Sequence, residues 1–369
     1  MLSSLLFVLV FLSSFLSYDF LVNDKDKKDV VIILKKEFVI KDSEDFFIQN
    51  ISDAAITPIG HIIFLSSRQH RAFVFDENGD FLQSFGNQGR GPAEFNRPSM
   101  IEVGPDGTIF IHDPRNSRIS VWNLDYEHEA EFEFMRGWNT YFINNSQDIF
   151  IWSQPHQPLP NGSFALILFK IEKSPWRAEI FRTFEYVDHN DQHEFLSTWS
   201  NIEITDQGNL IATEGTDEGS YFLYIVDEYG EMINKFGRKV DQPMHTPERS
   251  TELQQMRIRA GIAENDRATG SRSSTSGGQA QSELVPKPYF INLEIDSNNY
   301  LWVHRNKEFG QQEEIDIYTL KGEYKTTVTI PPTENEYRLL GIYDERVLFR
   351  VTEPDETPSL HVYRIEYVE

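Results

Sequence analysis

Along most of the chain, apolar and polar residues alternate with a period of two over runs of about four to eight residues, and short turn dipeptides break the alternation. The segments EVGPDGTIFIHD, EITDQGNLIATE and EIDSNNYLWVHR show the pattern clearly. In each, one run ends at Asp-Gly, Gln-Gly or Asn-Asn, residues that accept positive φ, and an aromatic or β-branched run follows directly, so each segment reads as a β-hairpin. A second hairpin follows in FVFDENGDFLQSF (Phe73 to Phe85) and in LYIVDEYGEMINKF (Leu223 to Phe236), turning on Asn-Gly or Tyr-Gly.

Two hairpins in series make a four-stranded antiparallel sheet, and six such units fit the chain. The first-hairpin turns fall near Gly60, Gly107, Gln147, Gly208, Asn298 and Glu345, spaced by 47, 40, 61, 90 and 47 residues. Three intervals match one repeat of a radial array and two are lengthened. A sheet this small cannot bury both faces alone, so the copies must stack, and radial stacking closes the ring with short, protected edges. The fold predicted is all-β: a six-bladed β-propeller of four-stranded antiparallel blades. Its last blade runs short at HVYRIEYVE, and the strand-like VVIILKKEFVI (Val30 to Ile40) is expected to complete that blade and close the ring.

Composition narrows the chemistry. There are 34 Lys plus Arg against 58 Asp plus Glu, a formal net charge of −24, so a phosphate backbone is repelled and no nucleic-acid partner is expected. Cysteine is absent, which removes disulfides, thiolate nucleophiles and zinc-thiolate sites. No nucleophile elbow, HExxH, phosphate loop or EF-hand pattern occurs. The opening MLSSLLFVLVFLSSFLSYDF carries an apolar run from Leu5 to Leu12. It is short for a membrane span and suits a secretory signal, with an uncleaved anchor as the competitor. Residues 1–20 are therefore expected to be a signal peptide or anchor, 21–29 a polar linker, and 30–369 one propeller in an exported, periplasmic or extracellular protein. Membrane contact is expected only through that N-terminal segment, and the protein is expected to be a monomer.

The stretch GNQGRGPAEFNRPSMIEVGPDGTIFIHDPRNSRISVWN resembles an NHL-repeat blade: glycines and a proline lead through a Phe to an inner strand, then Asp-Gly, then D-x-x-N-x-R-I before the third strand. The resemblance is to bacterial secreted six-bladed propellers of this type. Such relatives often carry a lipid-anchoring cysteine, which this chain lacks. Gly86, Gly89 and Gly91 let the backbone cross from an outer strand to the ring's centre, Pro92 and Pro98 stiffen the crossing, and Phe95 plugs the gap between blades. Asp113, Asn116 and Arg118 read as structural: the short side chains satisfy a tight loop, and Arg118 reaches a carboxylate or carbonyl.

Function is sought where the repeat is broken. The largest departure, 238–287, separates blades four and five. It holds a plausible helix cap at Thr246 with Pro247 in the first turn, then a low-complexity tract, GSRSSTSGGQAQS. It has eight basic residues against six acidic ones and reads as a lid over the central funnel, or as a tolerated flexible insertion. At the end of each second strand, the residues Ser66, His112, Trp152, Thr213, His304 and Arg350 form a ring. His112 and His304, three blades apart, are the candidates for a shared divalent metal or proton transfer, with hydrogen-bonded rim histidines as the default. His70 and His156 lie on neighbouring loops. Cations on the same rim are Arg68, Arg71, Arg90, Arg97, Arg115, Arg305 and Lys307, suited to an anionic ligand or to ion pairs between blades.

The candidate ligand-binding residues are thus Arg71, Arg90, His112, Arg115, Trp152, His304 and Arg305. The function expected first is a non-enzymatic binding module for a small anionic ligand, glycan or protein partner, with no cofactor required. The resemblance also implies an alternative, a metal-assisted lyase or hydrolase at the funnel, since similar propellers include lactonases and amidating lyases.

Overall fold

The computed structural model describes residues 31–134, 140–153, 164–186, 202–216, 220–229, 231–241, 243–259, 287, 289–308, 311–331 and 333–368. Their strands, β1 to β24 in chain order, form six antiparallel sheets of four strands each. The innermost strands are β2 (Asp53–Ile56), β6 (Met100–Val103), β10 (Thr140–Asn144), β14 (Ile202–Ile204), β18 (Phe290–Ile295) and β22 (Glu336–Tyr343). Each packs beside the next and β22 returns to β2, so the ring is closed. The protein is a six-bladed β-propeller.

The turns form where the residue pattern places them. Gly60, Gly107 and Gly208 sit at φ of +84°, +83° and +77°, a region an L side chain enters only under strain. In blades five and six the positive φ falls on Asn299 and Asp344, each one residue from the expected turn centre. In blade three the turn is made by Asn145, whose Oδ1 accepts the backbone N–H groups of Gln147 and Asp148 at 3.0 and 2.9 Å. The two long repeats have separate causes. Blade three extends its outer hairpin through β12 (Phe164–Glu172) and β13 (Arg177–Tyr186), and the chain between blades four and five carries helix α1 (Pro247–Arg259). Thr246 caps α1, its Oγ1 accepting from the Arg249 N–H at 3.3 Å. The low-complexity tract and His156 lie outside the described residues.

Buried apolar residues fall into six clusters, one at each blade junction. Blade six is completed by β1 (Val31–Ile40), which pairs antiparallel with β24 (Pro358–Val368) from Val31 opposite Val368 to Ile40 opposite Leu360. The chain ends thus share one sheet. Ile32 enters the cluster between blades five and six, and Ile40 enters the one between blades six and one. Full burial of one such side chain is worth about 1.5–3 kcal/mol, so β1 contributes to two interfaces besides its own ladder. Deleting residues 30–40 is expected to lower the melting temperature by about 10 °C or more; an unchanged thermal melt would show that the ring does not depend on this strand.

Candidate functional site

The junction between blades one and two explains the glycine-rich motif. Gly86 has φ +81°, and a Cβ there would meet the Phe95 ring at 2.2 Å, so only glycine permits this approach. Phe95 is completely buried in the cluster that joins the two blades, tilted against Trp122 at 5.7 Å. At Gly89 a Cβ would fall 1.9 Å from the Glu94 carboxylate, which accepts the Gly91 N–H at 2.7 Å as the chain turns past Pro92. Arg118 is buried beneath this crossing. It donates to the carbonyls of Gly91 (2.8 Å), Glu94 (2.5 Å) and Arg90 (3.3 Å) and to the Glu131 carboxylate (2.5 Å). Asp113 accepts the Asn96 N–H at 3.0 Å and the Asn116 amide at 2.6 Å, while Asn116 also donates to the Gly89 carbonyl. These groups hold the crossing segment to the blade.

A central funnel of about 1150 Å³ is walled by the innermost strands of all six blades and by the described parts of the 238–287 segment. That volume is at or above the upper end of the range for small-molecule pockets. Of the seven ligand-binding candidates, His112 lines it. His112 is 5% exposed, and its Nδ1 lies 3.3 Å from Ser99 Oγ, but its Nε2 has no partner. Burial pushes its pKa down to about 4, so the ring is neutral at physiological pH.

The other six lie elsewhere. His304 is fully buried between Glu313 Oε2, 3.2 Å from its Nε2, and the Leu339 N–H, 3.3 Å from its Nδ1. Both ring nitrogens are engaged, and no cluster of three or more His, Asp or Glu able to hold a metal ion occurs among the described residues. Arg305 pairs with Glu314 and with buried Asp316. Trp152 is buried against Tyr141 with its Nε1 unpartnered. Arg71 donates to Asn87 Oδ1 at 2.8 Å, and Arg90 and Arg115 are exposed on loops.

The funnel instead gathers residues from the innermost strands. Arg338 on β22 stands directly opposite Arg350 on β23 (Arg346–Thr352), and both line the cavity. Like charges directly opposite across a ladder are destabilising. Arg350 donates to the Ile51 carbonyl at 3.1 Å, and burial, then the Arg338 charge, pulls its pKa below the usual value. From the 238–287 segment, His245, Arg249 and Lys287 line the same cavity. Lys287 is anchored by a hydrogen bond from its N–H to the Pro243 carbonyl (2.8 Å) and by its Nζ donating to the Lys307 carbonyl (2.7 Å). Burial lowers the pKa of His245, and the charges of Lys287 and Arg249 lower it further.

Four carboxylates converge from four blades: Asp53, Glu102, Glu203 and Glu294. Asp53 accepts the N–H of Ile101 (2.9 Å) and of Ala54 (3.0 Å), Glu102 the amide of Asn144 (2.8 Å), and Glu294 the amide of Asn292 (2.8 Å). Glu203 receives, among the described residues, the Ile204 N–H. Burial raises the pKa of all four, to about 7 for Asp53 and for Glu102, and mutual repulsion adds to this for the glutamates. The same four charges, after burial, push the Tyr343 phenol up. Because the folded-state pKa lies above the unfolded value, the folded protein holds more protons between the two, and stability falls as pH rises from about 4 to about 7. A Glu102→Gln variant, which mimics the protonated form, is expected to melt several degrees above wild type at pH 8.5 and together with it at pH 4; equal melts at both pH values would remove the strain assigned to this carboxylate.

Residues 38–157 match the model of a family described as a 6-bladed beta-propeller. No curated protein matches the sequence. Among solved structures, a candidate exported protein of Bacteroides fragilis aligns with TM-score 0.52 and 12% identity, over 92% of this chain and 96% of that one. A member of the duf4221 family from Bacteroides vulgatus aligns with TM-score 0.53 and 12% identity, over 93% of this chain and 100% of that one. Identities this low establish shared architecture only. The chain is therefore a six-bladed β-propeller of the kind that the family model describes, matched in sequence through blades one and two and into blade three.

Proposed function

We propose that the protein is an exported, monomeric binding module whose central funnel takes the anionic group of a small ligand, a glycan or a partner protein. The observation that carries this reading is the Arg338–Arg350 pair. Two arginines stand opposite each other across one ladder, on the wall of a large cavity, and among the described residues no carboxylate lies within ion-pair distance of either, although Asp53 and Glu336 act on Arg350 from further off. An anion between them relieves the repulsion and gains bidentate hydrogen bonds. Lys287, and Arg249 with its partner Glu252 at 2.8 Å, bring further cations to the same cavity, which gives the 238–287 segment the role of an arm over the funnel. Export is supported by the apolar N-terminal run and by the B. fragilis neighbour.

A second reading, a metal-assisted lyase or hydrolase, draws on Asp53 and Glu102, whose pKa values of about 7 suit acid–base work in the same funnel. It predicts altered product, whereas a binding module returns its ligand unchanged.

The anion reading predicts that uronic acids or short acidic peptides bind the full-length protein at low salt. Arg350→Ala or Arg338→Ala is then expected to weaken binding by about tenfold or more, in line with loss of a charge-assisted hydrogen bond. Affinity unchanged in both variants, measured by calorimetry, would move the ligand away from this pair.

A further inference from the structure

We propose that the ligand is a zwitterion: its anionic group sits at Arg338 and Arg350, and an ammonium or guanidinium group reaches down the funnel to Asp53, Glu102, Glu203 and Glu294. This rests on the anion reading above and extends it to the opposite end of the ligand.

The argument starts from how the rest of the molecule treats its acids. Fully buried Asp316 is held by Arg238 at 2.8 Å and Arg305 at 3.0 Å. Buried Glu313 has Lys307 at 2.9 Å and His304 at 3.2 Å, and buried Asp113 has Arg118 at 3.8 Å. The four funnel carboxylates have no cation within ion-pair distance among the described residues. Their donors are neutral amides and backbone N–H groups, and for Glu203 the Ile204 N–H. Four converging acids without a cation are costly. Relief comes from retained protons or from a cation that enters through the cavity.

A second, independent feature of the same wall points to an occupant. His112 is nine-tenths buried and lines the funnel, yet its Nε2 is without a hydrogen-bond partner. A buried polar atom left unpaired in this way is rare in finished interiors. The groups facing the carboxylates are also of the right kind. Asn144 and Asn292 orient Glu102 and Glu294, the charges of all four acids act on the Tyr343 phenol, and Arg338 and Arg350 lower the pKa of Asp53. The cavity thus presents both signs of charge: the facing Arg338 and Arg350, with Glu336 near Arg350, and four carboxylates that no cation holds. A ligand with a single sign of charge satisfies one set and is repelled by the other.

The chemistry requires that the entering cation displace protons from the carboxylates to solvent. Calorimetry in two buffers of different ionisation enthalpy reads that release. The experiment titrates full-length protein with an ω-amino acid series from 4-aminobutanoate to 8-aminooctanoate, with the carboxylates of equal length, and with hexylamine. The expected result is that one ω-amino acid binds about tenfold or more tighter than its matched carboxylate, with proton release. In a Glu203→Gln, Glu294→Gln variant that advantage is lost while carboxylate affinity holds. Glu102→Gln, a single change, gives the same direction should the double variant melt early. Carboxylates binding as well as ω-amino acids in wild type would overturn the zwitterion and leave the anion reading standing. Hexylamine binding that the Gln variant abolishes, with no carboxylate binding, would keep the cationic end and sink the anionic one. No binding by any probe would overturn both.

Discussion

A four-stranded blade has two apolar faces and no partner within itself, and everything else in this molecule follows from that constraint. Each face must be covered by a neighbour, so the blades stack until the ring shuts, and a ring built by one chain has to be fastened where the chain begins and ends. The pairing of Val31–Ile40 with Pro358–Val368 does this by placing both ends in one sheet. The six junction clusters then depend on each other, because opening any one of them exposes a full blade face.

Closure also manufactures the funnel. Side chains alternate along a strand, so equivalent positions on six innermost strands point at a common axis. A polar residue that would be unremarkable on one strand is multiplied there. This is how Asp53, Glu102, Glu203 and Glu294, which are distant in sequence, come to act on one phenol, Tyr343. Their pKa values rise because burial is answered there by neutral amides and backbone N–H groups, whereas Asp316 between the blades is held by two arginines.

The architecture was legible because it is periodic. Hairpin turns at Gly60, Gly107 and Gly208 and the spare strand at 30–40 are local signals repeated often enough to count. The blade junction was legible for a related reason, since Phe95, Asp113, Asn116 and Arg118 sit within one short motif and bond to each other. The funnel was harder. Arg350 stood in the ring of second-strand ends, but its partner Arg338 lies on the neighbouring strand and carries no motif. The signal for the carboxylates was an acid in an innermost strand, as in MIEV and IEI, where an apolar residue is the expectation. His304 and Arg305 failed to reach the funnel because Glu313, Glu314 and Asp316 on the next strand engage them first. A cation flanked in space by acids pairs with them, and a strand pattern does not reveal what stands opposite.

Net charge is a poor guide to what this protein attracts. At −24 the molecule as a whole repels anions beyond the mouth, but within a Debye length, about 8 Å at physiological salt, the local groups decide. There Arg249, Lys287, Arg338 and Arg350 share the lining with Glu308, Glu313 and Glu336, and the low-dielectric blade walls behind them focus the resulting field. The 238–287 segment matters in this balance because it brings two of those four cations to an acid-lined funnel. Without them the acids lining the cavity would outweigh the arginine pair still further. The departure from the blade repeat therefore adds cations to a cavity that the repeat itself lines with acids.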